Sequence, residues 1–121
     1  MQNWNQIQPI VEQVLCNQRF SNSGAHHGEP CFLTAYQIAV LVDRQDTSLK
    51  GNLPIGGEGE GGNENRSFTQ QIAWFLSKAV NDNEYNGSLE RQFFSIDGLD
   101  SFTFDGGKTL SQKEVSMFRL T

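Results

Sequence analysis

The N-terminal apolar residues follow the spacing of a helix. They recur at intervals of three and four residues, which places them on one stripe of a helical surface. The stripe consists of Ile7, Ile10, Val11, Val14 and Leu15. Pro9 suits a first helical turn, because its missing N–H would have no helical partner there in any case. The pattern predicts a first helix from about Pro9 to Arg19.

A capping signal marks the start of a second helix. Thr34 and Gln37 have the spacing of a capping box, in which each side chain bonds an otherwise unpaired backbone N–H. The residues behind this box are apolar on nearly every side, as expected for a helix central to the core. A second helix is therefore predicted from Ala35 to about Arg44.

A third helix is predicted from residue 68 to about 81. Ser67 and Gln70 repeat the capping box, and apolar side chains follow at helical spacing. The outward face is predicted to expose Thr69, Gln70, Gln71, Ser77 and Lys78. The centre of the core is predicted to contain Ile38, Leu41, Ile72, Phe75 and Leu76.

The C-terminal third has features of strands. Asp97-Gly98 favours a tight hairpin turn, and apolar residues flank it over 92–96 and 99–104. This pattern predicts a β-hairpin after the third helix. A third capping signal at Ser111 predicts a short C-terminal helix over 114–121, with an edge strand as the alternative.

Together these elements predict an α+β fold of three to four helices with one β-hairpin after the third helix. A length of 121 residues is that of one domain, so 1–121 is predicted as a single domain. A long loop is predicted over 45–66. Its glycine- and glutamate-rich centre, 56–62, has no side chain that could anchor a core and is predicted to be mobile.

Charge and composition narrow the function classes. The net charge of −5 disfavours non-specific binding to nucleic acids and anionic membranes. The longest apolar stretch, 38–42, is too short to span a bilayer, so no membrane association is expected. Met1 is not followed by a basic and apolar leader, which predicts a cytoplasmic location with Cys16 and Cys31 reduced.

One function hypothesis concerns DNA. Three helices followed by a hairpin is the element order of a winged-helix module, whose third helix enters the major groove. That module has a short turn of three or four residues between its second and third helices. Here a long acidic insert with Glu58, Glu60 and Glu64 lies between them and would repel phosphates. A winged-helix-like DNA-binding regulator is therefore the second hypothesis.

A possible ligand loop supports the third hypothesis. It brings together His26, His27, Glu29 and Cys31, which have side chains suited to zinc binding or thiol–imidazole chemistry. Adjacent histidines point in different directions, and the spacing of a metal site is missing. We therefore predict no metal, no cofactor and no catalytic residue. The third hypothesis is a small-molecule-binding protein or minor enzyme using His26, His27 and Cys31.

The aromatic residues near the predicted hairpin support the leading hypothesis. They are Phe93, Phe94, Phe102 and Phe104. Neighbouring strand residues face opposite sides, so Phe93 and Phe94 cannot enter the same core. One face needs a cover, which could be the C-terminal segment, a ligand, a protein partner or a second copy. We expect a small non-catalytic interaction or regulatory protein that forms a homodimer.

Overall fold

The fold has a layer of three helices and an antiparallel sheet. The computed structural model describes residues 4–19, 29–58, 66–100, 103–104, 108–109 and 114–121. The helices are α1 (Trp4–Asn17), α2 (Ala35–Gln45) and α3 (Phe68–Asn81). The strands are β1 (Leu33–Thr34), β2 (Leu89–Ser95), β3 (Thr103–Phe104), β4 (Lys108–Thr109) and β5 (Glu114–Leu120). This arrangement confirms a single small α+β domain. Within the described residues, no helix has the length and apolar character needed to cross a membrane.

Helix α1 begins five residues earlier than its sequence pattern predicts. The predicted start at Pro9 is wrong, because Pro9 lies inside the helix. Trp4 stacks on Phe75 of α3 with ring centroids 4.5 Å apart, and this contact holds the first turn against the body of the protein. Pro9 and Asn5 are both exposed, so the proline lies on the solvent side of the helix, where its ring does not disturb the packing of α1 on the core.

Both predicted helix starts in the middle of the chain are confirmed. At α2 the Thr34 side chain accepts from the Gln37 N–H, and the Gln37 side chain accepts from the Thr34 N–H. At α3 Ser67 accepts from the Gln70 N–H, but the Gln70 side chain reaches one residue further back, to the N–H of Arg66. The side-chain bond of Gln70 therefore spans one residue more than the corresponding bond of Gln37.

The segment between α2 and α3 is attached to the core through residues 49–55. Leu49 and Ile55 pack against the core. The carbonyls of Pro54 and Ile55 accept the N–H groups of Phe68 and Thr69, at 2.8 and 2.9 Å. These bonds fix where α3 begins. Residues 59–62 of the predicted mobile centre lie outside the described residues.

A series of turns links α3 to β2. Asn83, Asn86 and Gly87 have positive φ angles, which asparagine and glycine adopt most readily. Between them the Tyr85 hydroxyl donates to Glu12 Oε1 of α1 at 2.7 Å and accepts from Gln8 Nε2. The turn is thereby fastened to α1, which sets the direction in which β2 leaves the helices.

The three-stranded sheet has the order β1-β5-β2, with every pair antiparallel, and β3 and β4 form a second, two-stranded antiparallel sheet. The predicted hairpin partner of β2 is wrong, because β2 pairs with β5 rather than with residues 99–104. The predicted C-terminal helix is also wrong. Residues 114–120 form the central strand, and Phe118 is fully buried there. Burying Phe118 requires contacts distant in sequence, which local capping signals do not reflect.

The core lies between the helices and one face of the sheet. Ile38, Ile72 and Leu76 are buried as predicted, whereas Leu41 and Phe75 are only half-buried at its edge. The face of the sheet turned toward this core is called the inner face, and it carries Leu33, Leu89 and Phe118.

Candidate functional site

Strands β2 and β5 form a ribbon in which the burial of β2 falls along its length, although Val115 at the far end of β5 is only 4% exposed. Leu89, at the start of β2, is 6% exposed, but every residue from Gln92 to Ser95 is exposed. Phe93 is 61% exposed, Phe94 39% and Leu99 53%. Among the described residues these three are the exposed large hydrophobic side chains, and together they are called the apolar tip.

The strand register places the two phenylalanines on opposite faces. Phe93 is paired with Ser116, and Phe94 is paired with Val115. Because side chains alternate along a strand, Phe93 shares the inner face with Leu89 and Arg91. Phe94 therefore lies on the outer face. The apolar tip therefore has side chains on both faces of the ribbon end.

Charged side chains border the apolar tip on the helix side. The Arg91 guanidinium lies over the Phe93 ring, 5.6 Å from its centroid. It also lies 3.5 Å from Asn81 Oδ1 at the end of α3. A cation above a ring stabilises its orientation while leaving the other ring face accessible. Arg91 thus marks the boundary between the covered and exposed parts of β2.

The outer face is closed near the helix end by its own side chains. Arg119 forms an ion pair with Glu90 on the adjacent strand, with Nη2 and Oε2 2.9 Å apart. Its guanidinium also lies 4.5 Å from the centroid of the Phe32 ring. These contacts pair the charged groups at this end of the outer face with other side chains of the same chain. The exposed apolar surface is thereby confined to the far end.

The possible ligand loop is described only at its base. His26 and His27 lie outside the described residues. Glu29 is exposed and Cys31 is half-buried. The Cys31 N–H donates to the Gln18 carbonyl at 2.8 Å, which joins the two ends of the loop. No group of three metal-ligating side chains occurs in the part of the chain that the structure describes.

An open cleft of about 240 Å³ lies on the outward side of α2. Sequence reasoning missed it, although the spacing of Tyr36, Val40 and Arg44 places them along one side of the helix. Its lining consists of Gln18, Leu33, Tyr36, Gln37, Val40, Leu41 and Arg44. Neither Glu29 nor Cys31 of the possible ligand loop belongs to this lining.

The outward face of α3 differs from its prediction. Thr69 and Gln71 were predicted to be exposed but are fully buried, because the first turns of α3 are covered on several sides. Trp74 occupies the remaining surface, with the Lys78 ammonium 5.7 Å above its ring. The face therefore presents an aromatic side chain and one cation, with fewer amides and hydroxyls than predicted.

The backbone N–H groups at the start of α3 have partners within the chain. Phe68 and Thr69 donate to carbonyls of the preceding segment, and Gln70 and Gln71 donate to Ser67. A helix N-terminus binds anions through N–H groups that lack such partners. This end of α3 is therefore closed to a phosphate group.

Of the four phenylalanines predicted as an interaction surface, the structure describes the surroundings of two. Phe93 and Phe94 lie at the apolar tip on opposite faces of β2, and the apolar tip also includes Leu99, a residue that sequence reasoning omitted. Phe102 lies outside the described residues, and only the backbone of Phe104 is described, in β3. Comparison of the chain with known protein families, curated proteins and solved structures finds no match.

Proposed function

We propose that this protein is a non-catalytic interaction module that self-associates through the apolar tip of the β2–β5 ribbon. The observation that carries the proposal is the exposure of three large apolar side chains, Phe93, Phe94 and Leu99, within seven consecutive residues at one end of the ribbon. Large side chains exposed together mark association surfaces more often than large side chains exposed singly. Aromatic residues are also enriched at protein interfaces.

The chemistry around the apolar tip supports a protein partner. Arg91 and the acidic residues Asp97 and Asp100 lie beside it, which gives an apolar centre with charges of both signs at the rim. Protein interfaces have this arrangement. The mixed rim suits a partner with the same distribution of charge, as a second copy of the chain has.

Light scattering coupled to gel filtration tests this proposal. At tens of micromolar the unmodified chain is expected to elute with about twice its mass of 13.6 kDa. Phe93→Asp and Phe94→Asp are expected to give monomers, because each places a carboxylate in the apolar contact. Thr47→Asp is the matched control, since it adds the same charge at an exposed turn after α2, outside the β2–β5 ribbon. A monomeric unmodified chain, or dimers of both phenylalanine variants, would contradict the proposal.

DNA binding is a second candidate function, favoured by the element order. Three helices are followed by the antiparallel strands β2 and β5, the order of a winged-helix module. Against it, α2 ends at Gln45 and α3 begins at Phe68, so a long insert replaces the short turn of that module. The buried Thr69 and Gln71 are also unavailable to read bases.

Fluorescence anisotropy with a labelled DNA duplex separates the two functions. Under the DNA hypothesis, binding at low salt weakens steeply as salt increases, because bound cations are released from the phosphates. Lys78→Glu would then weaken binding, whereas Arg44→Glu on α2 would have a smaller effect. No rise in anisotropy at tens of micromolar protein would eliminate this candidate.

A further inference from the structure

We infer that the second copy docks by pairing its β2 strand antiparallel with β2 of the first copy, around a two-fold axis at Phe93. The two sheets then form one continuous sheet of six strands. This inference rests on the proposed self-association and specifies its geometry. It is carried by three properties of β2, namely its position in the sheet, its burial gradient and its sequence.

Strand β2 is at one edge of the sheet. One side of it is paired with β5 over all seven residues, from Leu89 to Ser95. No described strand pairs with its other side. Edge strands are usually protected by proline, charged side chains or a very short length. Strand β2 carries the charged residues Glu90 and Arg91 in its first half, but its exposed half, Gln92 to Ser95, has neither a proline nor a charge. Its backbone is therefore suited to receive another strand.

The exposed second half of β2 leaves space for a second copy of the chain. Helix α3 contacts β2, and burial is confined to the first residues of the strand. With the axis at Phe93, Leu89 of the two copies would be about 27 Å apart along the strands. A helix with its side chains is about 10–12 Å wide. The helical layers therefore lie at opposite ends of the paired strands and do not collide.

Symmetry restricts the possible registers. Side chains that are opposite each other across paired strands must lie on the same face of the sheet. The two-fold axis therefore lies midway between the two copies of one residue, so that this residue is paired with itself. An axis at Arg91 would place two guanidinium groups opposite each other, which is destabilising. An axis at Gln92 would place Arg91 opposite Phe93 and lose the direct pair of aromatic rings, and an axis at Phe94 leaves only three residues of β2 paired.

The axis at Phe93 gives the most favourable contacts. Five residues of each strand pair, and the two Phe93 rings lie directly opposite each other. Aromatic pairs of this kind stabilise neighbouring strands. Phe94 then faces Gln92 of the other copy, and Arg91 faces Ser95. No like charges oppose each other in this register.

Disulfide trapping tests the register. In a background of Cys16→Ser and Cys31→Ser, the variants Phe93→Cys, Gln92→Cys and Ser95→Cys are oxidised and examined for covalent dimers. A disulfide requires Cα atoms within about 7 Å. Phe93→Cys is expected to cross-link, because its Cα atoms would be about 5 Å apart. Ser95→Cys is the matched control on the same face, since its Cα atoms would be about 14 Å apart.

Hydrogen exchange of the unmodified chain tests edge pairing without changing Phe93. Amides of residues 91–95 are expected to exchange more slowly at 100 µM than at 1 µM protein, because pairing protects those on the open side. A dimer lacking both this protection and the Phe93→Cys cross-link would overturn edge pairing while leaving self-association intact. Preferential cross-linking of Gln92→Cys would overturn the register. A monomeric chain at 100 µM would overturn the proposed function as well.

Discussion

Phe118 and Phe93 are the same type of residue on the same face of the same sheet, yet their surroundings are opposite. Phe118 is opposite Arg91 in the strand register, and Phe93 is two residues further along β2. Phe118 is 0% exposed and Phe93 is 61% exposed. The helical layer ends between them. The difference shows that strand pairing alone does not bury a side chain, because burial also requires a second layer.

This boundary divides the inner face into a part that the helices cover, which belongs to the body of the protein, and a ribbon end where Phe93 is exposed. On the outer face of the ribbon end, Val115 is only 4% exposed. In the body, capped helices and buried aliphatic residues surround Phe118. At the ribbon end, Phe93 is covered on one side by Arg91. Substitutions on the two sides of the boundary should therefore affect different properties, namely the free energy of unfolding on one side and association on the other.

The largest expected effect is that of Phe118→Ala. Removing a fully buried ring from the central strand leaves a cavity between sheet and helices, and the free energy of unfolding should fall by about 3–5 kcal/mol. Urea denaturation followed by the fluorescence of Trp4 and Trp74 measures it. A loss below about 1 kcal/mol would mean that the helices do not cover this strand as described.

The comparison also explains how much the sequence could predict. The starts of α2 and α3 depend on residues within four positions of each other, such as Thr34 with Gln37, and both were predicted correctly. The pairing of β2 with β5 depends on residues separated by 19 to 31 positions. The local preference of Asp97-Gly98 for a turn carries no information about which strand returns beside β2.

The candidate site was partly predictable for the same reason. Alternation along a strand was enough to place Phe93 and Phe94 on opposite faces. Their exposure depends on how far the helices extend over the sheet, and this cannot be inferred from the sequence of β2 alone. Leu99 was omitted because nothing in its local sequence indicates that its side chain is 53% exposed. The burial of Thr69 depends on Pro54 and Ile55, which bring the preceding segment over the start of α3.

A second substitution in the body tests the cap of α3. Ser67→Ala should lower the free energy of unfolding by about 1–2 kcal/mol, because it leaves the N–H of Gln70 without its partner. Ser77→Ala in the same helix is the control and should change stability little, since Ser77 lies away from the helix ends. Equal effects of the two changes would contradict the role of the cap.

A smaller effect is expected at the turn that fastens α1 to β2. Burial and the neighbouring Glu12 raise the pKa of Tyr85 from 10.0 to about 12. Because the pKa is raised in the folded state, the protonated phenol stabilises the protein below pH 10. This contribution is lost as the pH rises toward 12. Tyr85→Phe should lower stability by about 1 kcal/mol at neutral pH, through loss of the hydrogen bond to Glu12.

The measurement for Tyr85 is urea denaturation of both proteins at several pH values between 8 and 12. The difference between the unmodified chain and Tyr85→Phe should shrink above pH 10, whereas other titrating groups act on both chains alike. A difference that stays constant to pH 12 would mean that the phenol does not titrate in this range. A difference that grows would contradict the direction of the pKa shift.

The smallest expected effect on unfolding is that of Phe93→Ser. At 1 µM, where association is weakest, the free energy of unfolding should change by less than about 0.5 kcal/mol, because the lost ring is mostly exposed. At 100 µM the unmodified chain should be more stable than at 1 µM, since association favours the folded state. The increase should be smaller for Phe93→Ser, because the Phe93 ring pair is lost while the backbone pairing of β2 remains. A loss above about 1 kcal/mol at 1 µM would mean that the chain itself covers Phe93, and the boundary between body and ribbon end would then be drawn in the wrong place.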